Sequence, residues 1–337
     1  MLRIYFGHFL RVILICIALF GTNSSYAEQV VVYSARIEKL IKPMFDIFTK
    51  ETGIPVRFIT DKAGVLLARL RAEGKNTPAD MLITTDAGNL WEAVQEGLLA
   101  PIESEKLEAN IPAYLRDPQK KWFGLSVRAR TIVYNTDKVN PAELSTYEDL
   151  ANSKWQERLC LRTSKKVYNQ SLVAMMIAEY GKEKTEQIVR GWVANLATDP
   201  LSNDTKAMEF VAAGKCDVTI VNSYYYGRLI EKVPNLPLAI FWPNQDGSGV
   251  HVNISGAGIT KSTKSKKAAI MLLEFLSSEK AQKLFTDVNM EYPVNPKVSP
   301  DSTVTAWGSF KQNRMNVVKA GELQTEAVKL MDRAGYR

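Results

Sequence analysis

Residues 30–96 alternate between short apolar runs and amphipathic runs, and this alternation constrains the fold more than any other feature of the sequence. Runs rich in β-branched residues predict strands at 30–34, 55–60 and 80–85. Each is followed by apolar residues at helical spacing, which predicts helices at 38–52, 64–73 and 88–96. Strands joined by single helices require right-handed crossovers and form a mostly parallel sheet. The sequence therefore predicts a doubly wound α/β fold.

The rest of the chain predicts a second α/β lobe that is interleaved with the first. A long extended run at 125–135 is suited to carry the chain between lobes, and the extended run at 250–259 suggests a return near Val252. The other predicted strands are 158–162, 217–221 and 237–242, and the other predicted helices are 168–180, 183–194, 204–213, 224–233 with Ser223 as its cap, 264–278, 279–288 and 322–333. No linker or repeat is visible. We expect a first lobe of residues 28–126 plus 252–302 and a second lobe of residues 127–251 plus 303–337.

The first 27 residues are typical of a signal peptide rather than of the fold. Arg3 and Arg11 precede an apolar run at 12–20, and small residues at Ser25 and Ala27 suit cleavage by signal peptidase. A lipid anchor at Cys16 is disfavoured because Ile15 is large, and a retained membrane span is disfavoured because the run is shorter than the ~20 residues that a span needs. We expect export to the periplasm.

Composition excludes several classes of function. Of the two histidines, His251 alone lies beyond the signal peptide, so histidine catalysis and zinc sites of the Cys or His type lack their residues. Neither a phosphate-binding loop of the G-x-x-x-x-G-K type nor a G-x-G-x-x-G turn is present. The formal net charge of +7 is dispersed, and its densest patch, 261–267, reads as a solvated loop, so a nucleic-acid partner is not indicated.

One arginine, one aspartate and three tyrosines follow the predicted strands at their carboxyl ends. In doubly wound lobes these points converge on one cleft. Three adjacent tyrosines point about 100° apart on a helix, so they cannot all be buried. Phenols have pKa values near 10 and become ligands when a hard, highly charged cation displaces their protons, and ferric iron matches several phenolate oxygens best. The residues concerned are Arg36, Asp86, Tyr168, Tyr224 and Tyr225.

Two cysteines, Cys160 and Cys216, lie beyond the signal peptide, and an oxidising compartment allows them to form a disulfide. Each precedes a singled-out tyrosine, Tyr168 or Tyr224, by the same number of residues. Equal offsets suggest neighbouring strands held in register. The alternative is a pair of buried free thiols.

Seven segments, in this order and spacing, resemble a known family. They are V-V-V-Y-S-A-R at 30–36, P-A-D-M-L-I-T-T-D-A-G at 78–88, W-F-G-L-S-V-R-A-R-T-I-V-Y-N at 122–135, V-Y-N-Q-S-L-V-A at 167–174, V-N-S-Y-Y-Y-G-R-L at 221–229, H-V-N-I-S-G-A-G at 251–258 and E-Y-P-V-N-P at 291–296. The chain resembles the ferric-ion-binding periplasmic proteins of bacterial iron ABC importers. The resemblance implies the bilobed type II periplasmic binding protein fold, also found in transferrin lobes, with an interlobe cleft.

The resemblance also implies roles for individual residues. Tyr168, Tyr224 and Tyr225 correspond to the iron ligands, and Arg130 to a donor that stabilises a phenolate. Some members supply a histidine and a tyrosine after the first strand, or a glutamate in the third-strand motif, and those positions here hold Ile37, Glu38 and Thr85. The chain therefore resembles the branch of the family that combines tyrosines with an anion.

The anion expected in that branch is carbonate, held largely by Arg36 at the start of a helix, with Arg128 or Arg130 assisting. Glu38 competes as a direct ligand, although a solvated residue in the first helical turn is its more ordinary role. Asp86 is a further possible site residue because it follows the third strand.

The first hypothesis is a monomeric binding protein, not an enzyme, that captures Fe(III) and hands it to an inner-membrane ABC permease. A second hypothesis keeps the fold and changes the solute to an organic anion or an Fe(III)-chelate held by Arg36, Arg128 and Arg130. A third is an exported enzyme with a tyrosine nucleophile, which lacks a nearby general base.

Overall fold

The computed structural model describes residues 29–337, so the predicted signal peptide and Cys16 lie outside the described residues. The amino-terminal alternation is confirmed. Strands β1 (Val30–Ser34), β2 (Val56–Thr60) and β3 (Met81–Thr84) alternate with helices α1 (Glu38–Thr52), α2 (Ala63–Glu73) and α3 (Ala87–Gln95). β1 pairs in parallel with both β2 and β3, as right-handed crossovers require. Helix α1 buries Ile41, Met44, Phe45 and Phe48 as one stripe against this sheet.

Two long strands carry the chain between the lobes. In β4 (Phe123–Asn135), residues 123–129 pair antiparallel with β8 (Val252–Ile259), and residues 130–135 pair antiparallel with β6 (Val218–Asn222) and β7 (Leu238–Phe241). β8 also pairs with β3, so one sheet, in the order β2-β1-β3-β8-β4-β6-β5, runs through both lobes. The sheet is more mixed than expected because both crossing strands pair antiparallel with their neighbours.

The second lobe contains β5 (Leu159–Cys160), parallel to β6, together with helices α5 (Val167–Tyr180), α6 (Lys182–Ala194), α7 (Asp204–Ala212) and α8 (Ser223–Lys232). Ser223 is not the cap of α8. Asn222 occupies that position without a side-chain capping bond, and the buried Ser223 hydroxyl has no hydrogen-bond partner among residues 29–337. The remaining helices are α4 (Glu105–Asn110), α9 (Lys266–Leu276), α10 (Glu279–Asn289), α11 (Ser302–Thr305), α12 (Lys319–Glu322) and α13 (Gln324–Arg333).

Each lobe has its own hydrophobic core, and the carboxyl-terminal segment contributes to both. Val304, Val317 and Val318 pack into the core of the first lobe, whereas α13 packs into that of the second lobe. Between them, Gly321 of α12 lies so close to α3 that a Cβ would come within 2.4 Å of the Trp91 side chain. The lobe boundary at residue 303 therefore remains a proposal. The packing favours a passage of the chain from the first lobe to the second lobe near α12.

The disulfide between Cys160 and Cys216 is confirmed, with the two Cα atoms 5.8 Å apart. The strand register that the equal cysteine offsets suggested is not confirmed. Cys160 lies opposite Thr219 in the parallel β5–β6 pair, and Cys216 precedes β6. Separately, we find in residues 29–337 no helix with the length and apolar character needed to cross a bilayer.

Candidate metal-binding site in the interlobe cleft

A cavity of about 450 Å³ lies between the lobes, at the ends of strands from both. The second lobe contributes the amino-terminal turns of α5 and α8, and the first lobe contributes the residues that follow β1 and β3. Five of the site residues expected from the sequence meet on its wall, namely Tyr168, Tyr224, Tyr225, Arg36 and Arg128. Sequence reasoning did not single out five other charged residues of the wall, which are Lys62, Lys165, Lys166, Arg228 and Glu291.

Tyr168 lies in the first turn of α5 and is surrounded by positive charge. The guanidinium carbons of Arg128 and Arg162 lie 5.4 and 5.7 Å from its ring centre, and Lys166 Nζ lies at 4.6 Å. Burial opposes ionisation, but the charges of Arg128 and Lys166 and a hydrogen bond with Tyr224 outweigh it, so the pKa of Tyr168 is lowered. Among the three candidate ligands, Tyr168 is therefore prepared to form a phenolate.

The three tyrosines of α8 have different surroundings. Tyr224 is buried, and its ring centre lies 4.3 Å from that of the half-buried Tyr225. Burial raises the pKa of Tyr224 well above its ordinary value, and the neighbouring Tyr168 and Tyr225 raise it further. Tyr226 points elsewhere, because its ring packs edge-on against Trp307 and its hydroxyl donates to Leu238 O at 3.3 Å. Only Tyr224 and Tyr225 of the three line the cavity.

Arg36 lines the cavity but is already paired. Its Nη2 lies 2.8 Å from a carboxylate oxygen of Glu291, and its Nη1 donates to Ser255 Oγ at 2.6 Å. Ser126 also donates to the Glu291 carboxylate. Arg36 therefore reaches the cavity as one half of a buried ion pair, and its role in holding an anion stays a prediction. The sequence feature that could have indicated this partner of Arg36 is the motif E-Y-P-V-N-P, which begins with Glu291.

Arg128 and Arg130 lie two residues apart on β4 and have different contacts. Arg128 reaches the cavity and donates through Nη2 to Thr85 O and to Ile254 O, the latter at 2.5 Å. Arg130 does not line the cavity, and it pairs with the buried Asp204 at 3.0 Å. No hydrogen bond from Arg130 to a tyrosine hydroxyl is present within residues 29–337. The role that the resemblance implied for Arg130, a donor behind the ligands that stabilises a phenolate, stays a prediction.

The two acidic candidates lie off the cavity wall. Glu38 is exposed in the first turn of α1. Asp86 is fully buried as the cap of α3, where it accepts from Gly88 N at 2.7 Å, from Ser171 Oγ at 2.9 Å and from Asn253 Nδ2 at 2.8 Å. These contacts place Asp86 between the lobes as an acceptor that links α3, α5 and β8.

His251 lies behind the tyrosines and is held neutral. Burial, together with the charges of Arg130 and Arg128, lowers the pKa of His251 to about 3. Its backbone donates to Tyr147 Oη at 3.1 Å, whereas its Nδ1 has no hydrogen-bond partner in the described part of the chain. The structural hydrogen bond of His251 is therefore made by its backbone.

The candidate metal donors on the cavity wall are phenol oxygens, since the Glu291 carboxylate is paired with Arg36. Residues 29–337 contain no group of three or more His, Cys, Asp or Glu side chains arranged to hold a metal ion. Three phenolates offer hard anionic oxygens from the start of two helices, where the helix dipole favours negative charge. This chemistry suits a trivalent hard cation.

The fold and this site define a solute-binding protein with two lobes around a central cleft. Residues 76–311, more than half of the chain, match the family of bacterial extracellular solute-binding proteins, and the chain belongs to that family. Iron uptake protein A1 of Synechocystis sp. is 43% identical over 316 residues, which span 92% of this chain and 88% of that protein. The major ferric iron-binding protein of Neisseria meningitidis serogroup B is 25% identical over 337 residues, covering 97% and 99% of the two chains.

Solved structures agree with these relatives in fold. The Trichodesmium protein IdiA (FutA), solved in complex with iron and citrate ligands, superposes with a TM-score of 0.89 at 45% identity. The superposition covers 92% of this chain and 100% of that chain. The bilobed fold predicted from the sequence is therefore confirmed, and these relatives are iron-binding transport proteins rather than enzymes.

Proposed function

We propose that this chain captures Fe(III) in the interlobe cleft with the phenolates of Tyr168, Tyr224 and Tyr225 and delivers it, as a monomer, to an ABC-type permease of the inner membrane. The observation that carries the proposal is the meeting of these three phenols on one cavity wall. The lowered pKa of Tyr168 supports it, because a ligand must lose its proton to bind. Relatives named for iron uptake and for ferric iron binding support the choice of metal.

An anion completes the proposed coordination sphere, because three phenolates leave positions open on a ferric ion. Five cationic side chains of the cavity wall pair with no carboxylate among the described residues, and these are Lys62, Arg128, Lys165, Lys166 and Arg228. Carbonate is the first candidate. We place the anion among Arg36, Arg128 and Arg228, which all line the cavity.

A second candidate is capture of iron as an anionic Fe(III)-chelate rather than as the bare ion. The excess of unpaired positive charge on the wall favours it, and the Trichodesmium relative was solved with iron and citrate together. The two candidates differ in what accompanies the metal, and both use the same tyrosines.

The test is the visible spectrum of the purified protein titrated with Fe(III), followed by metal analysis. We expect a phenolate-to-iron charge-transfer band that saturates at one iron per chain. Titrations in carbonate-free buffer, with carbonate and with citrate then identify the anion that raises the affinity. A protein that takes up no iron and develops no visible band in any of these buffers contradicts the proposed function.

The site of action is proposed to be the periplasm, reached by a signal peptide that is removed after Ala27. The relatives are periplasmic or extracellular binding proteins. Mass spectrometry of the exported protein should give a chain that begins at Glu28, and a chain that retains Met1 or carries lipid on Cys16 would contradict this proposal.

A further inference from the structure

Asn222 is the last residue of β6 and precedes Tyr224 of α8 by two residues. Each polar group of its side chain has a defined partner. The residue is 4% exposed. Its Oδ1 accepts from Arg130 Nη1 at 3.1 Å, and its Nδ2 donates to the Tyr224 hydroxyl oxygen at 3.3 Å. Its backbone N–H donates to Asp204 Oδ2 at 3.2 Å. The amide therefore bridges a buried cation and a candidate ligand oxygen.

The orientation of this amide is determined by chemistry. A guanidinium can only donate hydrogen bonds, so the group of Asn222 that faces Arg130 must be the carbonyl oxygen. The NH₂ group is consequently directed at Tyr224. The assignment of oxygen and nitrogen in this side chain thus follows from the partner, which removes the usual ambiguity of amide orientation.

Arg130 is itself immobilised and has no Nη hydrogen left for a phenol. Its Nη1 donates to Asp204 at 3.0 Å and to Asn222, and its Nη2 donates to Ile220 O at 3.1 Å and to Asn169 Oδ1. Asn169 follows Tyr168 on α5 and donates through Nδ2 to Arg162 O at 2.8 Å. The buried Arg130 guanidinium therefore holds Asn169 at the start of α5 and Asn222 at the start of α8, next to the tyrosines of both helices.

We propose that Asn222 is a positioning residue for iron binding, which donates an N–H to the Tyr224 oxygen while Arg130 fixes the direction of that donor. The inference rests on the proposed function, since it concerns how Tyr224 serves as a ligand. The amide N–H of Asn222 can donate to Tyr224 both as a phenol and as a phenolate. The hydrogen bond to the phenolate is the stronger of the two, because its acceptor oxygen is charged. Asn222 thereby keeps a donor directed at the Tyr224 oxygen and limits the movement of that oxygen.

The decisive variant is Asn222→Asp, which keeps the shape of the side chain and its bond with Arg130 but replaces the donor that faces Tyr224 by an acceptor. We expect Fe(III) affinity to fall roughly 10- to 100-fold, the size of effect usual for residues that support metal ligands. The charge-transfer band should move to longer wavelength, because a phenolate that loses a hydrogen-bond donor holds its electrons less tightly. A variant with the affinity and band of the parent protein overturns the proposal.

Two further variants separate positioning from general stability. Asn222→Ala removes the donor without adding a charge. It should lower the Fe(III) affinity and move the band to longer wavelength, in both cases by less than Asn222→Asp does. Asn135→Asp makes the same isosteric change at a buried asparagine whose Nδ2 donates to Val211 O at 2.8 Å, away from the cavity. It should lower the melting temperature and leave the band of the iron-loaded protein unchanged. A band shift in Asn135→Asp equal to that in Asn222→Asp would also overturn the proposal.

The outcomes distinguish this inference from the proposed function. If the parent protein develops no band with Fe(III), the proposed function fails. If the parent protein develops the band and Asn222→Ala and Asn222→Asp leave it unaltered, only the role of Asn222 fails.

Discussion

Tyr224, Tyr225 and Tyr226 follow one another on a single helix, and their contacts differ. The first two face the cavity, whereas Tyr226 packs against Trp307 and donates to a backbone carbonyl. The helical rotation of about 100° per residue separates them, as the sequence predicts. Adjacent residues of one chemical type therefore divide between ligation and packing.

Removing single phenol oxygens tests this division. We expect Tyr168→Phe, Tyr224→Phe and Tyr225→Phe each to weaken or abolish Fe(III) binding and to shift the visible band, because phenylalanine keeps the ring and deletes only the ligand atom. Titration followed at the charge-transfer band, with circular dichroism to verify the fold, measures the effect. Tyr226→Phe is the matched control and should bind iron like the parent protein. Equal binding by all four variants would place the metal elsewhere.

At the scale of elements, the site depends on where α5 and α8 begin. Both helices start next to strands of the second lobe, and β5 is tied to the segment before β6 by the disulfide of Cys160 and Cys216. Neither cysteine lines the cavity. The disulfide therefore bears on the stability of the lobe more directly than on the chemistry of the site.

Replacing both cysteines, in Cys160→Ala/Cys216→Ala, should lower the free energy of unfolding by about 4 kcal/mol, the chain-entropy value for a loop of 56 residues. Urea unfolding of the two proteins provides the measurement. The iron band of the folded variant should match that of the parent protein. Thiol titration of the denatured, unreduced parent protein is the control, and two reactive thiols in exported protein would contradict the pairing.

At the scale of the whole molecule, the buried carboxylate of Asp86 joins the lobes. It caps α3 of the first lobe, accepts from Ser171 Oγ on α5 of the second lobe, and accepts from Asn253 on the crossing strand β8. Because Ser171 lies one turn along the helix that carries Tyr168, this contact relates the position of the ligand-bearing helix to the first lobe.

Ser171→Ala removes the bond between Asp86 and α5 without adding volume. We expect the free energy of unfolding to fall by about 1–2 kcal/mol, because a buried carboxylate loses one donor. Chemical unfolding measures the loss, and Ser202→Ala at an exposed position is the control that should change little. If the two variants are equally stable, the bond between the lobes contributes nothing measurable.

The sequence by itself determined the features that depend on neighbours along the chain. The alternation of strands and helices, the crossing strand β4 and the divergence of the three tyrosines all follow from periodicity over a few residues. The limits of the predicted strands and helices agree with the structure within two residues, whereas the short helices α4 and α11 were not predicted. The tyrosine candidates were found because strand ends in doubly wound folds meet at one cleft.

Only the tertiary structure decided which distant groups satisfy one another. Arg36 was expected to hold an anion, and the partner that it has in the structure, Glu291, lies 255 residues further along the chain. Arg130 was expected to stabilise a phenolate as a donor, and the structure shows that its Nη atoms bind Asp204 and two asparagines. A buried charge must take the nearest compensating partner, and that partner is set by the packing of strands and lobes rather than by local pattern. Local periodicity therefore predicted where ligands gather, while the folding of both lobes around β4 and β8 decided which side chains orient them.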